Sequence, residues 1–160
     1  MIPITPQSRY DALVKLREGK IGREIFSDRE IYEEELERVF TRAWLFVGHE
    51  SQVPNPGDFF TSRMGAESVI LARDKKKKVH EILNSSRHRG MKVCQYDHGN
   101  TQLFTCPYHS WSYTTDGKLV GVPQFKQLYE GCMDKEEWSL IEVPNMEVYK
   151  GTVWASWDKD

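Results

Sequence analysis

From Trp44 onward the sequence breaks into short apolar runs separated by turn residues, and this spacing restricts the fold more than any other feature. The runs are WLFVGH, DFFTSRM, SVILARD, VHEILN, KVCQYD, QLFTCP, YTTDGKLVGVP and TVWASW. Each is too short for a stable helix and rich in the β-branched and aromatic residues that suit a pleated surface. Between them lie PNPG, MGAE, DHGN and TDG, each with a residue that tolerates positive φ. Asp116-Gly117, flanked by YTT and KLV, predicts a hairpin. Short strands at such close spacing predict a mainly β, antiparallel sandwich or small barrel.

The amino-terminal part reads differently. Ser8 is placed to cap a helix running to Glu18, with Tyr10, Leu13 and Val14 on one face and Gly19 as the stop. The segment SDRE at 27–30 fits a capping box, Ser27 as cap and Glu30 reaching back. Tyr32, Leu36, Val39, Phe40 and Ala43 then recur at helical spacing, while Glu33, Glu34, Glu37 and Arg38 face water. The expected organisation is a helical extension over 1–44 and one β domain over 45–157.

At 160 residues the chain is long enough for one domain with a substantial core. A net charge of −2 gives no electrostatic case for nucleic acid or an anionic membrane as partner. No apolar run approaches the ~20 residues a membrane helix needs. The start, MIPITPQSRYDAL, lacks the basic-then-apolar pattern of a secretory signal, so a cytoplasmic location is expected. Three cysteines, Cys94, Cys106 and Cys132, are too few for a disulfide framework. That leaves metal binding, reactivity or burial as their roles.

Two segments carry chemistry together: Ser86-Arg87-His88 and Cys106-Pro107-Tyr108-His109. Seventeen residues lie between His88 and Cys106. They read as a strand, a turn at 97–100 and a returning strand, which brings both segments to the same end of one excursion. Two loops that meet there suit the clamping of one inorganic group.

The run RHRGMKVCQYDHGNTQLFTCPYHSWSYTTDGKLVGVP, with RAWLFVGH and GDFF before it and GTVWASWD after it, resembles the Rieske domain of aromatic-ring-hydroxylating dioxygenase α subunits. The motif there is C-x-H followed by C-x-x-H, and the resemblance covers almost the whole chain. It implies a Rieske-type antiparallel β fold holding a 2Fe–2S cluster, with two thiolates on one iron and two imidazoles on the other. By position, His88 and His109 would bind the outer iron. Cys106 would bind the inner iron, with position 86 supplying its second ligand. Arg87, Arg89, Gly90, Tyr108 and Trp111 would form the cluster environment, Tyr108 and Trp111 bracketing His109.

The same resemblance implies electron relay from a ferredoxin or reductase. The acceptor would be a mononuclear iron of the oxygenase α subunits, which associate in some systems with β subunits. That iron is held by two histidines and a carboxylate in a carboxy-terminal domain. His49, His80 and His98 are isolated in sequence, so no catalytic residue is assigned and the iron domain is expected to be absent from this chain. The amino-terminal helices favour an α subunit over a stand-alone ferredoxin.

Position 86 departs from the pattern. A serine hydroxyl ionises far above neutrality and is a hard oxygen donor, poorly suited to iron–sulfur chemistry. Ser85 offers no rescue by a one-residue slip, and Cys94 lies across an expected strand. Three states follow: an empty site, a labile or serine-ligated cluster, or a single zinc ion on His88, Cys106 and His109. The alternative to electron transfer is thus a cofactor-less or zinc-holding shell with a structural or binding role. Ser110 also stands where the family commonly has glycine. Lys75–Lys78 reads as a solvated hairpin tip or a docking patch for an acidic partner, and Cys132 as a loop thiol. Trp138, Trp154 and Trp157 read as packing residues.

Overall fold

The computed structural model describes residues 9–159 and divides into two compact units between Val39 and Phe40. The first unit is less helical than its sequence predicts, and Ser8 lies outside the described residues. Helix α1 is only Arg9–Leu13. Strands β1 (Val14–Lys15) and β2 (Lys20–Ile21) then pair as a small hairpin, Val14 opposite Ile21. Gly19, at φ +63, sits in this hairpin's turn and does not end a long helix. β-branched Val14 and Ile21 are poor at continuing a helix, which favours this outcome.

Helix α2 spans Arg29–Glu35 and is capped by Asp28, whose carboxylate accepts from the Ile31 amide at 3.0 Å. The expected cap, Ser27, instead donates to the Arg23 carbonyl at 3.3 Å. A π-helical turn follows over Leu36–Phe40. Its wider turn breaks the 3.6-residue phase of the anticipated stripe. Within α2 the buried residue is Ile31, while Tyr32, and Val39 in the π turn, are about half exposed.

The second unit is an antiparallel β structure in three sheets. β4 (Asp58–Met64), β5 (Glu67–Arg73), β6 (Val79–Leu83) and β7 (His98–Asn100) form the order β6-β5-β4-β7. β8 (Leu103–Thr105), β9 (Ser112–Thr114) and β10 (Leu119–Gly121) form a second sheet. β3 (Leu45–His49), β11 (Asn145–Tyr149) and β12 (Thr152–Ser156) form the third, with β12 central. Helix α3, Phe125–Tyr129, follows β10.

The four-stranded sheet is the middle layer. Alternation along β5 sends Ile70 and Ala72 to one face, into a cluster with Phe104, Trp111, Tyr113 and Leu119. It sends Val69 and Leu71 to the other, into a cluster with Val47, Val143, Val153 and Ala155. All four β5 residues are completely buried, which is why SVILA reads as one unbroken apolar run.

Three segments depart from the sequence reading. KVCQYD forms no strand: Val93 and Cys94 are adjacent and both buried, which is not the two-residue period of a sheet. Part of the anticipated DHGN turn is instead edge strand β7, with Gly99 opposite Phe59. A side chain at Gly99 would start 3.0 Å from the Phe59 ring, so only glycine lets these strands approach. NMEVY, unassigned from sequence, pairs with β12 through a two-residue turn in which Lys150 and Gly151 both have positive φ. Among the described residues no helix is long and apolar enough to cross a membrane.

Candidate metal centre

The two loops singled out by the sequence meet at one end of the second unit, each leaving a strand that anchors it. The first leaves β6 and the second leaves β8. Their backbones repeat the same frame. In the first, Ser86 donates to the Met91 carbonyl and Gly90 donates back to the Ser86 carbonyl, both at 2.8 Å. In the second, Cys106 donates to Trp111 at 2.8 Å and Ser110 donates to Cys106 at 2.9 Å. Gly90 at φ +70 and Ser110 at φ +57 close the two turns in the same left-handed conformation. Positions 86 and 106 are therefore structural equivalents, and both side chains are buried.

The loops bring His88 and His109 together, ring centroids 4.5 Å apart and planes at 71°. Both Nδ1 atoms are buried, and neither has a hydrogen-bond partner among the described residues. Leaving two such nitrogens unpaired is costly unless something else occupies their lone pairs or protons. Burial chiefly, then repulsion from His109 and Arg89, lowers the His88 pKa and favours the neutral ring that binds metal. The histidine side of the site thus fits the imidazole half of a Rieske cluster.

The sulfur side fits at one position only. Cys106 places a buried thiol, whereas Ser86 places a hydroxyl 3.2 Å from the phenol oxygen of fully buried Tyr113. The His88 amide also points to the Ser86 hydroxyl, at 3.4 Å. Among the described residues, no three His, Cys, Asp or Glu side chains gather closely enough to hold a single metal ion. A two-iron group takes two protein donors per iron and does not need such a triad.

The rest of the anticipated environment divides unevenly. Tyr108 lies against His109, centroids 3.8 Å apart. Trp111, next but one in sequence, reaches instead across to His88 and stacks on it at 4.7 Å and 8°. Arg87 and Arg89 are exposed, and neither forms an ion pair among the described residues. Cys94 is buried outside the pair of loops, its thiol pKa raised by burial. Cys132 is exposed.

The other histidines lie elsewhere. His49 ends β3, and His98 is exposed on β7. His80 is on β6 and buried between Asp74 and Glu142, 3.2 Å from each. The lysine run lies at the β5–β6 turn, the end of β6 opposite the first loop. Five strand residues separate the two, about 17 Å.

Sequence reasoning missed two residues that shape the site. Tyr113 looks like an ordinary strand aromatic until its hydroxyl meets Ser86. Asn84, at the end of β6, is buried with its amide bonded to the Cys94 backbone. An asparagine placed directly after an apolar strand was the available signal.

Comparison with known proteins places these loops in context. The Rieske [2Fe-2S] domain family matches residues 43–146. The benzene 1,2-dioxygenase subunit alpha of Pseudomonas putida is 42% identical over 153 residues, covering 96% of this chain and 34% of that protein. The biphenyl 2,3-dioxygenase subunit alpha of Rhodococcus jostii (strain RHA1) is 45% identical over 148 residues, covering 92% and 32%. The crystal structure of naphthalene 1,2-dioxygenase from Rhodococcus sp. bound to indole superposes with a TM-score of 0.83 at 40% identity, covering 86% of this chain and 31% of that one. The chain spans about a third of the length of the curated relatives it matches.

Proposed function

Because the chain belongs to the Rieske [2Fe-2S] domain family, we propose that it is the electron-relay domain of an aromatic-ring-hydroxylating dioxygenase α subunit, with Ser86 standing where a cluster thiolate is required. The observation that carries this reading is the pair of matching loops that bring the His88 and His109 rings within 4.5 Å, each with a buried Nδ1 that has no partner among the described residues. Similarity to benzene and biphenyl dioxygenase alpha subunits supports the aromatic-oxidation setting.

In this reading His88 and His109 hold the outer iron and Cys106 the inner one. When bound, such a centre takes up and releases one electron at a time, at a higher potential than an all-cysteine cluster. The protein's contribution is to present the two imidazoles together at the tip of the loops and to keep the Cys106 thiol away from water. A ferredoxin or reductase would supply the electron. The acceptor would be an iron held by a domain these residues do not contain, within an assembly of oxygenase α subunits and, in some systems, β subunits. A cytoplasmic location, where reduced donors are made, fits this reading.

A second reading is favoured by one contact. The Ser86 hydroxyl is bonded to Tyr113 inside the core, so position 86 is satisfied by a protein partner. In that reading the domain is a shell with a structural or binding role. The zinc version draws no support from the geometry, since no three donors converge.

The two are separated by reductive titration of the parent protein, run beside Ser86→Cys as the reference, after reconstitution with iron and sulfide. Electron relay predicts a visible chromophore that bleaches with one electron per cluster. A protein that stays colourless, or whose colour does not respond to dithionite, contradicts the relay assignment.

A further inference from the structure

Resting on the assignment of His88 as a ligand, we infer that Trp111 is a positioning residue that fixes the plane of His88 before any metal arrives. A histidine's outer torsion is soft, and its ring can turn over a broad range at little cost. With Nδ1 turned inward and unpartnered, His88 has a standing incentive to rotate and expose that nitrogen to water. Among the described residues no hydrogen bond to the ring opposes the rotation. What opposes it is the Trp111 indole, lying parallel to the imidazole at 4.7 Å and 8°.

Trp111 is itself held. It is 2% exposed and meets Tyr129 of α3 edge-on at 6.0 Å and 71°. It meets Trp138 the same way at 5.8 Å and 77°. The 122–139 excursion, which carries no site residue of its own, thus braces a ring in the second loop that in turn holds a ligand in the first. His109 has no comparable clamp, because its neighbour Tyr108 is 56% exposed. The two imidazoles are therefore held unequally, His88 by a packed stack and His109 by a surface ring.

The stack is read directly by proton NMR of the metal-free protein. An indole lying flat on an imidazole shifts the carbon-bound protons of His88 upfield. Trp111→Phe keeps an aromatic face and should retain a reduced upfield shift, whereas Trp111→Leu should move these resonances to the positions of an unstacked ring. Trp138→Leu and Tyr129→Leu leave Trp111 in place and should loosen the stack, giving a smaller shift. They also carry the test if Trp111→Leu does not fold. Unchanged His88 resonances in Trp111→Leu, or in both brace variants, would overturn the inference.

A second arm uses the reconstituted Ser86→Cys background. There Trp111→Leu should lose cluster about 10-fold to 100-fold faster than its parent, the range for losing a group that orients a ligand. Trp111→Phe should stay near the parent, and equal loss from all three proteins would again contradict positioning. If Ser86→Cys takes up no cluster with Trp111 intact, the ligand assignment fails, while the NMR result still decides whether the stack sets the ring.

Discussion

Asn84 grips Cys94 by both backbone atoms: its Oδ1 accepts from the Cys94 amide at 2.9 Å and its Nδ2 donates to the Cys94 carbonyl at 2.7 Å. A side-chain amide thereby does for residues 91–97 what a neighbouring strand would otherwise do. It ties the irregular segment after the first loop to the end of β6, ten residues back along the chain.

Asn84→Ala should therefore leave a buried amide and a buried carbonyl unpaired. Each such group costs about 1–3 kcal/mol, so denaturant unfolding should show a loss of roughly 2–6 kcal/mol. Asn84→Asp keeps the acceptor only and should also destabilise. A loss below about 1 kcal/mol for Asn84→Ala would show that the clasp is not what holds the segment.

Glu81 predicts a pH dependence. It is 1% exposed, sits opposite Leu71 in the apolar cluster, and neither carboxylate oxygen has a partner. Burial pushes its pKa from 4.5 up to about 8. The folded state therefore keeps a proton that the unfolded state gives up. Below pH 4.5 both states are protonated and Glu81 adds no pH-dependent cost. Between 4.5 and about 8 the stability falls as pH rises, with a limiting slope of about 1.4 kcal/mol per unit. Above about 8 both states are ionised and the loss is complete. Glu81→Gln should remove this slope, so its advantage over the parent grows from pH 5 to pH 8 in thermal melts. Parallel curves for the two proteins would contradict the assignment.

Ser110 is a non-glycine residue at φ +57 in the turn where its counterpart is Gly90. A side chain in this conformation costs about 1–2 kcal/mol, of which the extra freedom of an unfolded glycine returns about 0.4–1. Ser110→Gly should raise stability by up to about 1 kcal/mol without altering the hydrogen bond from residue 110 to Cys106. A lower melting temperature would mean that the hydroxyl has a role the structure does not display.

How much of this was legible in sequence depends on how local each cause is. β4, β5, β6 and β12 were readable because their apolar runs are made of residues that favour strands wherever they fall. The Asp116-Gly117 hairpin was readable because its turn is local, closed by the Gly117 amide donating to the Thr114 carbonyl at 2.9 Å with Gly117 at φ +84. The amino-terminal segment was misread because Tyr10, Leu13 and Val14 satisfy a helical period, whereas the pairing of Val14 with Ile21 is a contact the period does not encode. The anticipated stripe was already off in α2, where Ile31 and not Tyr32 is buried, and the π turn then shifted its phase further.

The candidate site was legible as a set of positions and not as a set of contacts. His88, Cys106 and His109 stand out by type and spacing, and the serine at 86 by being the wrong element. That Trp111 would choose His88 over its sequence neighbour His109 depends on how two loops cross. The hydroxyl pair of Ser86 and Tyr113 depends on a strand that reaches under the first loop. Neither has a sequence signature.

The central claim is that the two loops form a complete Rieske frame that lacks one thiolate. Iron and acid-labile sulfide content tests it most directly, measured on the parent and Ser86→Cys proteins after identical anaerobic reconstitution. The account predicts the 2Fe–2S stoichiometry of the family in Ser86→Cys and markedly less in the parent. No cluster in Ser86→Cys would contradict the loop assignment, and equal occupancy in both proteins would contradict the importance given to position 86.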